Sequence, residues 1–206
     1  MIRENLDDRW KQILNYWFAK VPDVPTYFPH DKAKLWFSKS QETDDYISKT
    51  FGDLIPLADS GVLKHWENSD KSRLALVILL DQFTRNIYRG SEQSFAYDPI
   101  ALRVCLETIE KGKDKDLFPV ERSFFYLPLE HSEDLSLQNL SVEKFQKLLE
   151  ESPDNLREVL SANVDYAIKH REIIERFGRY PHRNEILGRE SSEEEMNFLS
   201  MPGSSF

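Results

Sequence analysis

An all-α fold is what the sequence predicts, and three observations carry that prediction. Apolar residues recur at three- and four-residue spacing along almost the whole chain. No segment alternates apolar and polar residues for six positions between turn signals, and only 7 of the 206 residues are Gly. A period near 3.6 marks one face of a helix and a period of two marks a half-buried strand. Sandwiches, barrels and phosphate loops use glycine for tight turns and close backbone approach, whereas helices need little of it.

The first helix follows a candidate cap at Asp7 or Asp8, with Trp10, Ile13, Leu14, Trp17 and Phe18 on one stripe. A proline-containing stretch at residues 21–29 ends it. Asp31 opens a short helix carrying Leu35, Trp36 and Phe37. A third helix carries Tyr46, Ile47, Phe51, Leu54, Ile55 and Ala58, with a kink expected at Pro56 and a stop at Gly61. Residues 72–88 are apolar nearly all round for two turns, as a central helix requires. They then become polar at Asp81, Gln82, Thr84, Arg85 and Asn86 before Gly90. Asp98 followed by Pro99 has the form of a cap and a first-turn proline, and Ile100, Ala101, Val104, Cys105 and Ile109 then mark one face as far as Gly112. Pro119 opens a helix through Tyr126, Pro128 interrupts it, and a further pattern runs from about residue 133 to 149. After Ser152 and Pro153, residues 156–177 sustain the pattern for about six turns up to Gly178, the expected left-handed stop. Ser192 and Glu195 form a capping box for a last short helix that ends near Leu199.

Charge and composition exclude several function classes. The 27 Lys+Arg against 36 Asp+Glu leave a formal net charge of −9, which argues against nucleic-acid and anionic-membrane binding, since both rest on basic patches. The longest apolar run, residues 74–80, is seven residues, against the roughly 20 that a spanning helix needs. The single cysteine, Cys105, rules out an intramolecular disulfide and a multi-thiolate metal site, and on a helix stripe it acts as a small hydrophobe. Residues 1–9 carry Arg3, Glu4, Asp7, Asp8 and Arg9 instead of the basic-then-apolar order of a secretion signal, so a cytoplasmic location is expected. The oligomeric state stays open.

Polar residues appear where core is expected. Asn163 and His170 interrupt the stripe Leu156, Val159, Leu160, Tyr166, Ala167, Ile173, Ile174 and Phe177, so both are expected to face inward. A buried imidazole or amide left unsatisfied costs about 1–3 kcal/mol, so partners are required. Candidates are Asp81 with Arg85 and Gln82 with Asn86, each pair at four-residue spacing. A second set is Glu130, His131, Ser132, Glu133 and Asp134; a third is Arg176, Arg179, His182, Arg183, Asn184 and Arg189. Between residues 169 and 189, six Lys/Arg against three Glu give +3 in an otherwise acidic chain. Guanidinium forks bind carboxylates and phosphates, so this segment either pairs with the 130–134 run or receives an anionic ligand. A structural ion-pair network accounts for the same residues. Phe124, Phe125 and Tyr126 are expected to pack rather than to stack a ligand, and Glu193, Glu194 and Glu195 to form a solvated first turn.

Specific chemistries fail on spacing. The chain has no Gly-x-Ser-x-Gly elbow, phosphate-cradling Gly-rich loop or dinucleotide fingerprint. Glu130, His131, Glu133 and His170 are ligand types, but neither Glu-x-x-His nor His-Glu-x-x-His occurs, so no metal and no other cofactor is expected.

The stretches LALVILLDQFTRNIYRG (74–90), FFYLPLEHSEDLSLQ (124–138) and HREIIERFGRYPHRNEILGRESSEEE (170–195) resemble the uncharacterised family called domain of unknown function 924. With WF at 36–37, DDYI at 44–47 and PGSSF from 202, the resemblance covers nearly the whole chain. It implies a TPR-like right-handed stack of antiparallel helix pairs, about eight to ten helices in a single domain, and no established activity. Thr43 stands where the family usually has Phe, and Thr84 where it usually has Pro, which is expected to keep the central helix unbroken. The family's characteristic motifs coincide with the polar sets: Asp81, Gln82, Arg85, Asn86; Glu130, His131, Ser132, Glu133; and His170, Arg179, His182, Arg183, Asn184, Arg189. Two functions follow as expectations beside the structural network. One is binding of a protein segment or small anionic molecule through Arg85, Arg179 and Arg183. The other is an enzyme for a small anionic substrate, with His131, His170 or His182 as general acid or base oriented by Glu130.

Overall fold

The computed structural model describes residues 6–19 and 28–204, and every regular element among them is helical. In α1 (Arg9–Phe18), Ile13, Trp17 and Phe18 are buried and Trp10 and Leu14 pack partly buried beside them. Asp8 sits at the cap position without a side-chain cap bond. The expected break at residues 21–29 and the final PGSSF fall partly outside the described residues. A 3₁₀ turn at His30–Lys32 leads into α2 (Ala33–Phe37), where Trp36 Nε1 donates to the Trp17 carbonyl at 3.0 Å.

The single kinked helix expected next is two helices, α3 (Gln41–Phe51) and α4 (Leu54–Asp59). The break falls at Gly52 and Asp53, not at Pro56. Pro56 lies in the first turn of α4, where a backbone N–H has no helical partner to lose. Gly61, with φ +78, follows the end as expected.

The central element begins with α5 (Asp70–Val77), capped by Ser69 Oγ accepting from the Ser72 N–H, and continues through Ile78–Phe83 into α6 (Thr84–Ile87). Residues 74–80 are all buried, as an apolar surface on every side demands. The helix is unbroken at Thr84 but not regular, because Ile78–Phe83 is wound as a π turn. Side chains dock onto its carbonyls: Thr84 Oγ1 donates to the Leu80 carbonyl at 2.8 Å and Arg85 Nη1 to that of Asp81 at 2.6 Å.

In α7 (Asp98–Glu110), Pro99 is in the first turn, but Asp98 makes no cap bond; its carboxylate is taken by Arg85. A charge-assisted fork is the stronger of the two uses of a carboxylate. Pro119 and Pro128 open α8 (Pro119–Phe125) and α9 (Leu127–Glu130). Asp134 caps α10 (Leu135–Glu151), which packs along α11 (Arg157–Phe177), and Gly178 closes α11 with φ +69. The predicted capping box opens α12 (Glu193–Leu199).

On α11 the buried row is Leu160, Val164, Ala167, His170, Ile173 and Ile174. His170 faces inward as expected. Asn163 is only half-buried and Tyr166 is exposed, because Val164 takes the inward position and leaves Asn163 at the edge of the row. The main apolar core runs from Ile13 to Ala167 and includes Phe124, Phe125 and Tyr126; Ile173, Ile174 and Tyr180 form a smaller cluster with Phe177 and Phe198. Cys105 is inside the main core. Among the described residues no helix is long and apolar enough to cross a membrane.

Candidate functional site

The π turn carries Asp81 to the centre of a polar cluster. Asp81 is fully buried, and its Oδ1 lies 2.7 Å from His131 Nδ1 and 3.3 Å from Arg85 Nη1. Its Oδ2 accepts from Gln82 Nε2. Burial pushes the Asp81 carboxyl up, but the charge of Arg85 and the His131 contact outweigh it and hold the group ionised well below the usual carboxylate range. Burial, followed by the charge of Arg85, pushes His131 down, so its imidazole is neutral at pH 7. The orienting carboxylate of His131 is thus Asp81 and not Glu130.

Glu130 lies under His170. Its Oε1 is 3.4 Å from His170 Nδ1, which also lies 2.8 Å from the Tyr166 carbonyl. Burial, followed by the charge of Asp81, raises the Glu130 carboxyl to about 8, and burial lowers His170 to about 3. The spacing is that of an ion pair, yet both groups are uncharged at neutral pH, because burial penalises either charge. The backbone here is held by Gln138, whose Nε2 lies 2.7 Å from the Glu130 carbonyl, 2.6 Å from that of Ser132 and 2.8 Å from Tyr180 Oη.

Arg183 closes the cluster. Its guanidinium stands over the rings of Phe95 and Tyr180, 4.6 Å from each centroid, and Nη2 donates to the His131 carbonyl at 3.0 Å. The nearest carboxylate contact is Asp98 Oδ2 at 3.9 Å from Nη1. That carboxylate is held in a two-bond fork by Arg85, at 2.8 and 2.9 Å. The Arg183 side chain is 9% exposed and its Nε is buried without a hydrogen bond. The His182 ring lies beside Tyr180, 5.4 Å between centroids, and burial followed by the charge of Arg183 lowers it to about 4; its Nδ1 is buried and unpartnered. Gln138 Oε1, Asn184 Oδ1 and Arg189 Nε are further unpartnered buried atoms on neighbouring residues. Buried polar atoms in folded proteins are nearly always hydrogen-bonded; further unpartnered atoms lie outside the cluster, at Arg9, Trp17, Trp66, Asp114, Ser141 and Arg171.

The structure brings together Asp81, Gln82, Arg85, Glu130, His131, His170, His182 and Arg183. Glu133 and Arg189 flank them as a closed fork at 2.6 and 2.9 Å that also fixes the Tyr180 N–H, at 2.8 Å. Asn184 sits in the turn after Arg183 and donates to Ser191 Oγ at 3.1 Å. Two expected members lie elsewhere. Asn86 donates to Asp44 at 2.7 Å, beside Arg89, on the side facing α3. Arg179 grips both oxygens of Glu195 at 2.7 and 2.9 Å; Glu195 is therefore buried, while its neighbours Glu193 and Glu194 are solvated.

Sequence reasoning missed Asp98 as a site member, since a cap and an ion-pair partner look alike before a proline. It also missed Gln138. That residue shares a stripe with Ser141, Phe145 and Leu148 on α10, so the polar-in-apolar signal that exposed His170 was present there too. Among the described residues no group of three or more His, Cys, Asp or Glu is arranged to hold a metal ion. An open cleft of about 590 Å³ along α7, lined by Leu102, Leu106, Ile109 and Leu140, involves none of the cluster residues.

Residues 13–203 match the family described as bacterial protein of unknown function (DUF924). The chain belongs to this family. No curated protein matches it. A solved structure of a protein of unknown function, ATU0120 from Agrobacterium tumefaciens, is similar at a TM-score of 0.78 and 34% identity, covering 94% of this chain and 98% of that one. The DUF924 fold is thus shown for this chain, and neither comparison carries an activity.

Proposed function

We propose that this DUF924 protein binds a small anionic molecule at Arg183. The observation behind the proposal is a buried guanidinium whose needs are unmet: one hydrogen bond to a carbonyl, a carboxylate no nearer than 3.9 Å, and a buried Nε with no acceptor. Guanidinium carries five donors, and a charge taken out of water without a close counter-ion costs several kcal/mol. An entering carboxylate or phosphate supplies both acceptors and charge. The depth of Arg183, 9% exposed, favours a small molecule over a protein segment. For Arg85, Arg179 and Arg189 a packing role is supported, because each already holds a carboxylate in a two-bond fork.

Inorganic phosphate and succinate are the test ligands. Binding at one hundred times Kd adds about 2.7 kcal/mol, which for a chain of this size raises the melting temperature by about 5–10 °C. Arg183→Lys keeps the charge and removes the fork, so it is expected to fold and to lose most of that rise. No saturable rise with either anion, or an equal rise in Arg183→Lys, refutes the proposal.

A further inference from the structure

Beside Arg183 stands a pair of groups that anion binding alone does not use. We propose that Asp81 and His131 form an acid–base dyad, in which His131 Nε2 takes a proton from, and returns it to, the molecule seated at Arg183. This rests on the binding site proposed above.

The geometry supports it in three steps. The Asp81 carboxylate is fully buried and ionised, and so can only accept hydrogen bonds. Nδ1 of His131, 2.7 Å away, must therefore carry the ring proton, and the lone pair is on Nε2. The His131 side chain is 16% exposed while Asp81 is at 0%, so the imidazole is the outward member of the pair. Its backbone is also fixed: its N–H donates to the Leu127 carbonyl at 2.9 Å, and its carbonyl accepts from Arg183 Nη2 at 3.0 Å. The residue that carries the proposed base is thus tied to the proposed anion seat by a hydrogen bond from its backbone carbonyl.

The other candidate bases lack this arrangement. His170 is 5% exposed with Nδ1 beside a backbone carbonyl and an uncharged carboxyl, and His182 has no carboxylate at either nitrogen among the described residues. In the proposed step an O–H or C–H bond of the ligand breaks and its electron pair stays on the ligand. The proton goes to Nε2, and Asp81 balances the imidazolium charge, with Arg85 and Asp98 the other charged groups around the ring. The reverse transfer restores the neutral imidazole, and no further reactant is required. Asp81 is a positioning residue in this scheme.

The test begins on the wild-type protein, labelled with ¹⁵N-histidine and assigned with His131→Gln. Nitrogen shifts at pH 7 are expected to show Nδ1–H and a bare Nε2 on His131. Diethyl pyrocarbonate, mapped by mass spectrometry, is expected to modify His131 ahead of His170 and His182, with inorganic phosphate protecting it. In Asp81→Asn the amide donates to Nδ1 and moves the proton to Nε2, so modification is expected to slow by about tenfold. An Nε2–H tautomer in the wild type overturns the dyad whether or not the variant folds, as does a His131 no more reactive than His170. If calorimetry shows phosphate binding while His131 is unreactive, the dyad falls and the Arg183 site stands. If His131 is reactive in the expected tautomer and phosphate does not bind, the seat at Arg183 falls instead.

Discussion

Replacing Glu130 by Gln should change how stability depends on pH, in a direction fixed by burial. In the folded chain the carboxyl is held at about 8 against an ordinary value of 4.5, because burial and the nearby Asp81 charge penalise ionisation. The native state therefore keeps a proton that the unfolded chain releases above pH 4.5. Its contribution is fully present below that value and is lost as pH rises toward 8. At about 1.4 kcal/mol for each tenfold change, the full loss is about 5 kcal/mol. About 3 kcal/mol of it falls between pH 5 and 8. Glutamine has the same shape and no proton to release. His170 at about 3 and His182 at about 4 affect wild type and variant equally and cancel in the difference. Urea unfolding at pH 5, 6, 7 and 8 is the assay, with equal slopes in both proteins as the check on comparability. Glu130→Gln is expected to gain on the wild type by about 3 kcal/mol across that range. A difference that stays flat with pH refutes the reasoning, because the folded chain then holds no proton at this place that the unfolded chain releases.

Two more outcomes follow from the same interior. Gln138→Leu removes the donor shared by the Glu130 and Ser132 carbonyls and Tyr180 Oη, and should cost about 3 kcal/mol in urea unfolding; a loss under about 1 kcal/mol would mean that water replaces the amide without penalty. Cys105 is fully buried, and burial pushes its thiol well above the ordinary value, so a disulfide reagent should label it only at the rate of global unfolding. Rapid labelling of the native protein would contradict that burial.

Much of the helix layout was legible, because long amphipathic stretches, first-turn prolines and positive-φ glycines act locally. Gly112 and Gly178 end their helices where the pattern stops, and Ser192 with Glu195 forms the box that the spacing implied. His170 was legible as an inward polar residue for the same reason. What periodicity could not give was the direction of side chains around residues 78–83, since a segment apolar on all sides has no face to count from. The separation of Asn86 from Gln82, neighbours on one face in a regular helix, was lost there. Partner choice was illegible as well. Nothing in the order of residues distinguishes Arg179, which closes on Glu195, from Arg183, which finds no close carboxylate, because both depend on where distant turns meet.

The π turn at Ile78–Phe83 gives the central helix one residue of slack. A π turn closes i→i+5 bonds where an α turn closes i→i+4, so one residue removed here is absorbed by rewinding the segment as α-helix, and the faces that follow keep their direction. A second removal has no such slack: an α-helix advances about 100° per residue, so Arg85 would swing off Asp98, and Asn86 and Arg89 would leave Asp44, and two interiors on opposite sides would lose their counter-ions together. Among relatives of this chain, a one-residue gap opposite residues 78–83 is therefore compatible with the same wiring, whereas a two-residue gap there would mark a differently wired interior.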